Sequence, residues 1–308
     1  MGKSRKIFCK FDVESVYGIL IADDFDKLIG TVETPSFLRI ANVPLLQLAL
    51  ENVLSTGIRR IMICLKSNEN KIEIENYLKS SSLNKHIKEV VYVVNRTLGE
   101  CFRDIDRMVE AMYYLIYDVL SFNVCPLLEL FQRLFDEDTI FNNLIFPVEK
   151  QISEQSYSLC GVSTEKNLVY YKKKGNLDEC AGDLFLNAVS RCPEVVFRND
   201  FHKTVICAVK KEFISLFTEH FEINNVDDMI EKILALDIYS YQFATTIKET
   251  KDFDLYQTQE KIIRDKDIES NNLEQKHIEN IDKRDKKEKE NIENIDKKPK
   301  EKKYFNEK

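Results

Sequence analysis

No stretch of the 308-residue sequence approaches the ~20 consecutive apolar residues that a membrane-spanning helix needs. The first six residues, Met1 to Lys6, are basic, but they lead into Phe8-Cys9-Lys10-Phe11-Asp12 with no apolar signal core. There is no excess of positive charge either. The formal net charge is −7, which counts against nucleic acid as the main ligand of a folded part, because backbone phosphates call for a basic face. None of the eight cysteines is spaced as CxxC. Cys64 in Ile-Met-Ile-Cys-Leu and Cys207 in Val-Ile-Cys-Ala-Val read as small buried apolar residues, and the expectation is free thiols in a reducing compartment. These absences leave a cytosolic chain without a membrane segment. What it does have is a hydrophobic share of 44%, enough to build a core, and charged residues at 31%, concentrated toward the C-terminus.

The apolar runs alternate with helical spacings. Val16 to Ala22 is a buried strand ending in Asp23-Asp24. Residues 43–56 carry leucines at helical spacing, and Gly57 closes that segment. Arg60 to Leu65 is a second strand, Ile72 to Leu78 a second helix, and Glu89 to Val94 a third strand. Residues 101–113 read as a helix and Tyr114 to Tyr117 as a fourth strand ending at Asp118. Such an order predicts an α/β fold, a Rossmann-like, mostly parallel sheet covered on both faces, with its ligand site beyond the carboxyl ends of the strands. Loops 22–36 and 95–100 and Asp118 would meet there.

Beyond it, residues 124–135 read as an amphipathic helix. Short β-like runs at 144–148, 157–162, 167–171 and 204–209 predict mixed strands added to the parallel core. Helices are expected at 213–217 and 226–236, and a closing strand at 241–247. Residues 1–250 thus form one domain. The remaining 251–308 are a charged tail in which Ile278 to Lys283 recurs as Ile292 to Lys297 without an apolar seam between, so disorder is expected.

The loop after the first strand is the most informative segment. It runs Ala22-Asp23-Asp24-Phe25-Asp26-Lys27, then Thr34-Pro35-Ser36-Phe37-Leu38 up to Leu46. This layout resembles the sugar-nucleotide pyrophosphorylases, which place a glycine-rich loop with an arginine here and then Pro-Lys before an apolar run. Phosphate binding needs bare backbone and a cation. Here aspartates replace the glycines, Lys27 is the only cation near the arginine position, and Ser36 stands where the lysine would be. Asp23, Asp24, Lys27 and Ser36 therefore read as a vestigial nucleotide loop.

The chain resembles more specifically the N-terminal domain of the epsilon subunits of the guanine-nucleotide exchange factor that acts on eukaryotic translation initiation factor 2. Ile21 to Asp26, Leu38 to Leu46, Thr56-Gly57-Ile58, Arg96 to Asp106, Ser163 to Val169 and Phe197-Arg198-Asn199-Asp200 carry the likeness, in order, over most of residues 16–247. Tyr117-Asp118-Val119 keeps the aspartate of a family Gly-Asp-Val and lacks its glycine. The resemblance implies a non-catalytic docking subunit with no cofactor, partnered by sister exchange-factor subunits, a gamma-type one first, and by initiation factor 2. Residues 251–308 lack the family's hexapeptide repeats, and the sequence has no tryptophan, whereas the family's exchange domain is aromatic-rich. The expectation is the scaffold half of such a subunit without its exchange half. The alternative is an active nucleotidyltransferase that makes a nucleotide sugar.

Individual residues divide between functional and structural readings. Asp118 is a candidate magnesium ligand by the resemblance to active pyrophosphorylases, with Asp23 and Asp24 either joining it or capping the next turn. Arg103, Asp104 and Asp106 either orient the loop at Gly99 or form a solvated face. Arg198, Asn199 and Asp200 are candidates for meeting a partner, or a hydrogen-bonded turn before a strand. His86, His202 and His220 show no nucleophile beside them, so no catalytic residue is assigned.

Overall fold

The computed structural model describes residues 12–25, 34–121, 126–135, 139–147, 157–172, 189–190, 192, 194–202, 204–236 and 241–247. The chain divides into two compact units, Met1–Tyr256 and Gln257–Lys308, and every described residue belongs to the first. The charged tail expected from residue 251 lies outside the described residues.

The parallel half is laid down first. β1 (Tyr17–Ile21) is buried along its whole length. A small hairpin follows, β2 (Arg39–Ile40) and β3 (Val43–Pro44), turned by Ala41 and Asn42 at φ 48° and 68°. Then come α1 (Leu45–Ser55), β4 (Arg60–Leu65), α2 (Asn68–Ser80), β5 (Glu89–Val94), α3 (Leu98–Met108) and β6 (Tyr113–Asp118). Gly57, at φ 97°, takes the left-handed turn just past α1 that a side chain would oppose. The order β5-β4-β1-β6 is parallel throughout, which requires the helical crossovers that the apolar spacings announce.

α3 begins three residues earlier than the expected 101 because Thr97 and Glu100 form a capping box. The Thr97 hydroxyl accepts the Glu100 N–H at 3.2 Å, and the Glu100 carboxylate accepts the Thr97 N–H at 3.2 Å. It ends at Met108, so residues 109–112 are a connection and not helix. The helix expected over 124–135 is reduced, among the described residues, to α4 (Glu129–Gln132) and a 3-10 turn at Arg133–Phe135.

Antiparallel strands extend the sheet: β7 (Thr139–Pro147), β8 (Tyr157–Ser163), β9 (Leu168–Lys172), β10 (Val195–His202) and β11 (Ile206–Lys210). β11 pairs with β6 and carries the sheet on through β7, β10, β8 and β9. α5 (Lys211–Glu219) and α6 (Val226–Ala235) return over it, and β12 (Gln242–Ile247) pairs parallel to β7. The fold is therefore α/β, a parallel central sheet with antiparallel strands added.

Cores lie on both faces. On one, Ile19, Met62, Cys64 and Val93 meet Phe102 and Ile105 of α3 and Phe213 and Phe217 of α5. On the other, Leu20, Ile61 and Ile63 meet Leu46, Leu50 and Val53 of α1, Ile74 of α2 and Phe131 of α4. Burying each of these side chains contributes about 1.5–3 kcal/mol. Among the described cysteines, Cys64, Cys101, Cys160, Cys192 and Cys207 are free thiols. Among the described residues no helix is long and apolar enough to cross a membrane.

Candidate functional site

Parallel pairing puts the last residues of β1 and β6, Ile21 and Asp118, side by side. The chain leaves β1 through Ala22 and turns at Asp23, whose carboxylate is only 4% exposed. One oxygen of Asp23 accepts the Lys66 main-chain N–H at 2.6 Å, and the other accepts the Asn70 side-chain amide at 2.7 Å. Burial raises the pKa of this carboxyl, against the opposing pull of those two donors and of the Lys66 charge. Asp23 thus ties the β1 loop to the β4–α2 loop. The Lys66 ammonium reinforces the tie, donating to the Asp24 carbonyl and lying 5.3 Å from the Phe25 ring centroid.

Ser36 is fully buried. Its hydroxyl donates to the Ala22 carbonyl at 2.5 Å, so in this arrangement it braces the end of β1 from beneath. Lys27 lies outside the described residues. Asp118 accepts the Leu120 N–H at 3.0 Å and thereby starts the turn Val119–Ser121, while its own N–H donates to Val205 at 2.9 Å.

The opposite wall comes from α6 and the start of α3. Asn225 caps α6, its carbonyl oxygen accepting the Asp228 N–H at 2.8 Å. Asp227, in the first turn of α6, is 5% exposed and accepts the Tyr171 hydroxyl at 2.9 Å. The wall is set by Gly99: its N–H donates to Asn224 O at 3.0 Å, and a Cβ there would stand 2.3 Å from Ile223 O. Only glycine lets α3 come this close. Arg103 secures the same segment, its guanidinium donating to the carbonyls of Phe217, Phe221 and Ile223 at 3.1–3.4 Å. Asp106 accepts from Ser215 at 2.7 Å and Thr218 at 2.9 Å, and Asp104 from Asn95 at 2.8 Å. Of the two readings for this trio, the ordering one describes Arg103, and all three side chains are bonded to protein.

What remains between these walls is a cleft of about 30 Å³, lined by Ile21, Asp23, Asp24, Phe25, Leu98, Asp118, Leu120, Val205, Asn225, Val226 and Asp227. That is far below the roughly 300–1,000 Å³ of a small-molecule pocket. Four of its lining residues are aspartates, and among the described residues none is a lysine, arginine or histidine. The structure thus brings Asp23, Asp24 and Asp118 together as the sequence led one to expect. Among the described residues there is no cluster of three or more acidic, histidine or cysteine side chains able to hold a metal ion. The sequence reading missed Asn225 and Asp227. Their signal was the Asn-x-x-Asp spacing at 225–228, a capping pattern directly ahead of an apolar helical run.

Arg198, Asn199 and Asp200 lie elsewhere, and not in a turn. They sit inside β10, between β7 and β8, where the register slips by one residue between Arg198 and Phe201. The bulge lets Arg198 reach back to Asp200 with two bonds, 2.8 and 2.5 Å, while its guanidinium lies 4.4 Å from the Phe201 ring centroid. The Asp200 partner raises the Arg198 pKa still further, so this charge is permanent and internally matched.

No known family model matches the sequence, and no protein of curated function matches it. Solved structures do match in shape. The inositol-1-phosphate CTP transferase from T. maritima aligns with a TM-score of 0.52 at 12% identity over 77% of this chain and 87% of its own. A protein designated a glucose-1-phosphate thymidylyltransferase from Bacillus anthracis, solved with sucrose, gives 0.55 at 13% identity over 76% and 86%. A CMP:2-keto-3-deoxy-manno-octonic acid synthetase complexed with CTP gives 0.51 at 12% identity over 76% and 89%. Likeness at this level of identity speaks for architecture alone, and by that measure the chain has the nucleotidyltransferase fold.

Proposed function

We propose that this domain is a nucleotidyltransferase fold that no longer turns over nucleotides and serves as a docking subunit. We further propose that its assembly is the guanine-nucleotide exchange factor acting on translation initiation factor 2, with a gamma-type sister subunit as first partner. The cytosol is the matching compartment.

The observation that carries the first part is the cleft. A triphosphate needs donors and cations, and among the described residues the cleft presents four aspartates and a volume of about 30 Å³. Asp23 is bonded to Lys66 and Asn70, and Ser36 to Ala22, so neither is spare for a ligand. Lys66 lies behind the Asp24 carbonyl rather than on the cleft wall. The competing reading, a working transferase of the kind the neighbours' names describe, requires the Asp23 loop to break these bonds and four carboxylates to accept further negative charge. The second part rests on the ordered resemblance from Ile21 to Asp200 to the exchange-factor epsilon subunits.

Calorimetry with CTP and dTTP in the presence of magnesium tests the first part. No saturable heat at millimolar nucleotide and no pyrophosphate release with sugar phosphates are expected; turnover by the pure protein overturns the proposal. Co-expression with a gamma-type sister subunit and initiation factor 2 tests the second part. Co-elution on gel filtration is expected, and separate elution of all three removes the translation assignment while leaving the first part standing.

A further inference from the structure

β5 is the terminal strand of the sheet, and it differs from its neighbours. Ile61 to Leu65 of β4 are fully buried, whereas Val90, Val91, Tyr92 and Val94 are half-buried. The direction of its main-chain groups follows from alternation. Arg59 O is shared by Lys88 N–H at 2.8 Å and Glu89 N–H at 3.4 Å. Asn95 N–H donates to Leu65 O at 2.9 Å, and with the parallel register Arg60↔Glu89 to Leu65↔Val94 this turns the polar groups of residues 91, 93 and 95 toward β4. Val90, Tyr92 and Val94 turn theirs outward, and among the described residues no strand lies on that side. A row of outward N–H and C=O groups on a β-branched strand is a template for one more strand.

The charges at its two ends decide what that strand must be. Lys88 is exposed at one end and Arg96 at the other. Among the described residues, the ion-pair partner of Lys88 is the exposed Glu14 carboxylate, at 3.7 Å. Glu89 is occupied inward, accepting the Tyr17 hydroxyl at 2.9 Å beside Arg60. If a second copy paired antiparallel with Tyr92 opposite Tyr92, Lys88 of each chain would face Arg96 of the other, like charges at both ends. A segment with carboxylates at its ends meets opposite charge at both.

We propose that the outer edge of β5 is a strand-addition site for a partner protein segment that is extended, β-branched at its centre and acidic at both ends. The site is separate from the aspartate cleft and holds whether or not that cleft binds nucleotide. The probe is a fluorescein-labelled nine-residue peptide, Asp-Val-Thr-Val-Thr-Val-Thr-Val-Asp, capped at both termini, whose ends reach Lys88 and Arg96 when it is centred on Tyr92, with a counterpart carrying lysines at its ends. Anisotropy with the full chain should show the acidic peptide binding about tenfold tighter than the lysine one. The Lys88→Glu, Arg96→Glu double variant should reverse that order. Amide exchange should slow at Val90, Tyr92 and Val94 on binding and stay unchanged at Val91 and Val93. Equal affinity for both peptides, no binding, or protection of the same three amides by self-association without peptide would each overturn the proposal.

Discussion

The two halves of the sheet handle polar groups in opposite ways. In the parallel half, β1 and β4 are apolar but for Arg60 at the start of β4, and the polar residues Asp23, Lys66 and Asp118 stand at or just past the strand ends. In the antiparallel half the polar residues are inside the strands. Asn142 and Thr139 of β7 are at 0% exposure and Thr245 of β12 at 1%. The first half is held by apolar contact and places its chemistry at a rim. The second is held partly by side-chain hydrogen bonds of strand residues, Asn142 to Leu130 and Thr246 and Thr245 to Lys166.

The seam between the halves should be the most sensitive place. Gly99→Ala puts a methyl 2.3 Å from the Ile223 carbonyl oxygen, which is backbone and cannot swing away. A loss of about 3 kcal/mol is expected, read as a lower urea midpoint. An unchanged midpoint would mean that the 221–224 segment is not seated on α3 as described.

Within the antiparallel half, Asn142 donates to the Leu130 carbonyl at 2.7 Å and to the Thr246 hydroxyl at 3.0 Å. Asn142→Leu keeps the branched shape, is somewhat bulkier, and strands a buried carbonyl, so a loss of about 2 kcal/mol is expected. Ile63→Val in the parallel half should cost only about 1 kcal/mol, because one methylene is removed and no polar group is orphaned. If the apolar change proved the costlier, the contrast between the halves would be wrong.

The same contrast explains what could be read from the sequence. The strands at 17–21, 60–65, 89–94 and 113–118 are visible because parallel strands buried on both faces must be continuous apolar runs. β10 was not foreseen. Its Arg-Asn-Asp at 198–200 reads as a turn, and only the bulge that lets Arg198 bond Asp200 and stack on Phe201 makes it tolerable in a strand. The apolar run that announces β7 is shorter than the strand because Thr139, Asn142 and Asn143 interrupt its pattern, and the pairing that holds them comes from β12, far away in sequence. At the cleft, Asp23, Asp24 and Asp118 were legible as strand-end carboxylates. Asp227 was not, since its place depends on Gly99 holding α3 against the chain ahead of α6, a contact across more than a hundred residues.

A smaller effect is expected at the hairpin of the parallel half. Ala41 holds φ 48° at the first turn position, where a Cβ is unfavourable. Ala41→Gly relieves that strain but widens the unfolded ensemble, so a net gain of about 0.5 kcal/mol is expected, read as a small rise in Tm. A fall in Tm would show that Ala41 packs in a way its exposed position does not suggest.

The last effect is one of slope with pH, and it asks whether the rim of the parallel half is built for charge. Burial raises the Asp23 pKa above its ordinary 3.8, so between that value and the raised one the folded state holds the proton more tightly than the unfolded state does. The contribution of Asp23 to stability is therefore greatest in acid and declines as pH rises through the raised pKa, levelling off above it. Asp23→Asn cannot titrate. The stability of the natural protein minus that of the variant should fall as pH rises across this window and then become flat. The opposite slope would mean that Lys66 and Asn70 outweigh burial and that Asp23 rests comfortably as an anion. The aspartate cleft would then hold a charge the protein stabilises, and the case for a site that has given up phosphate chemistry would have to rest on its size alone.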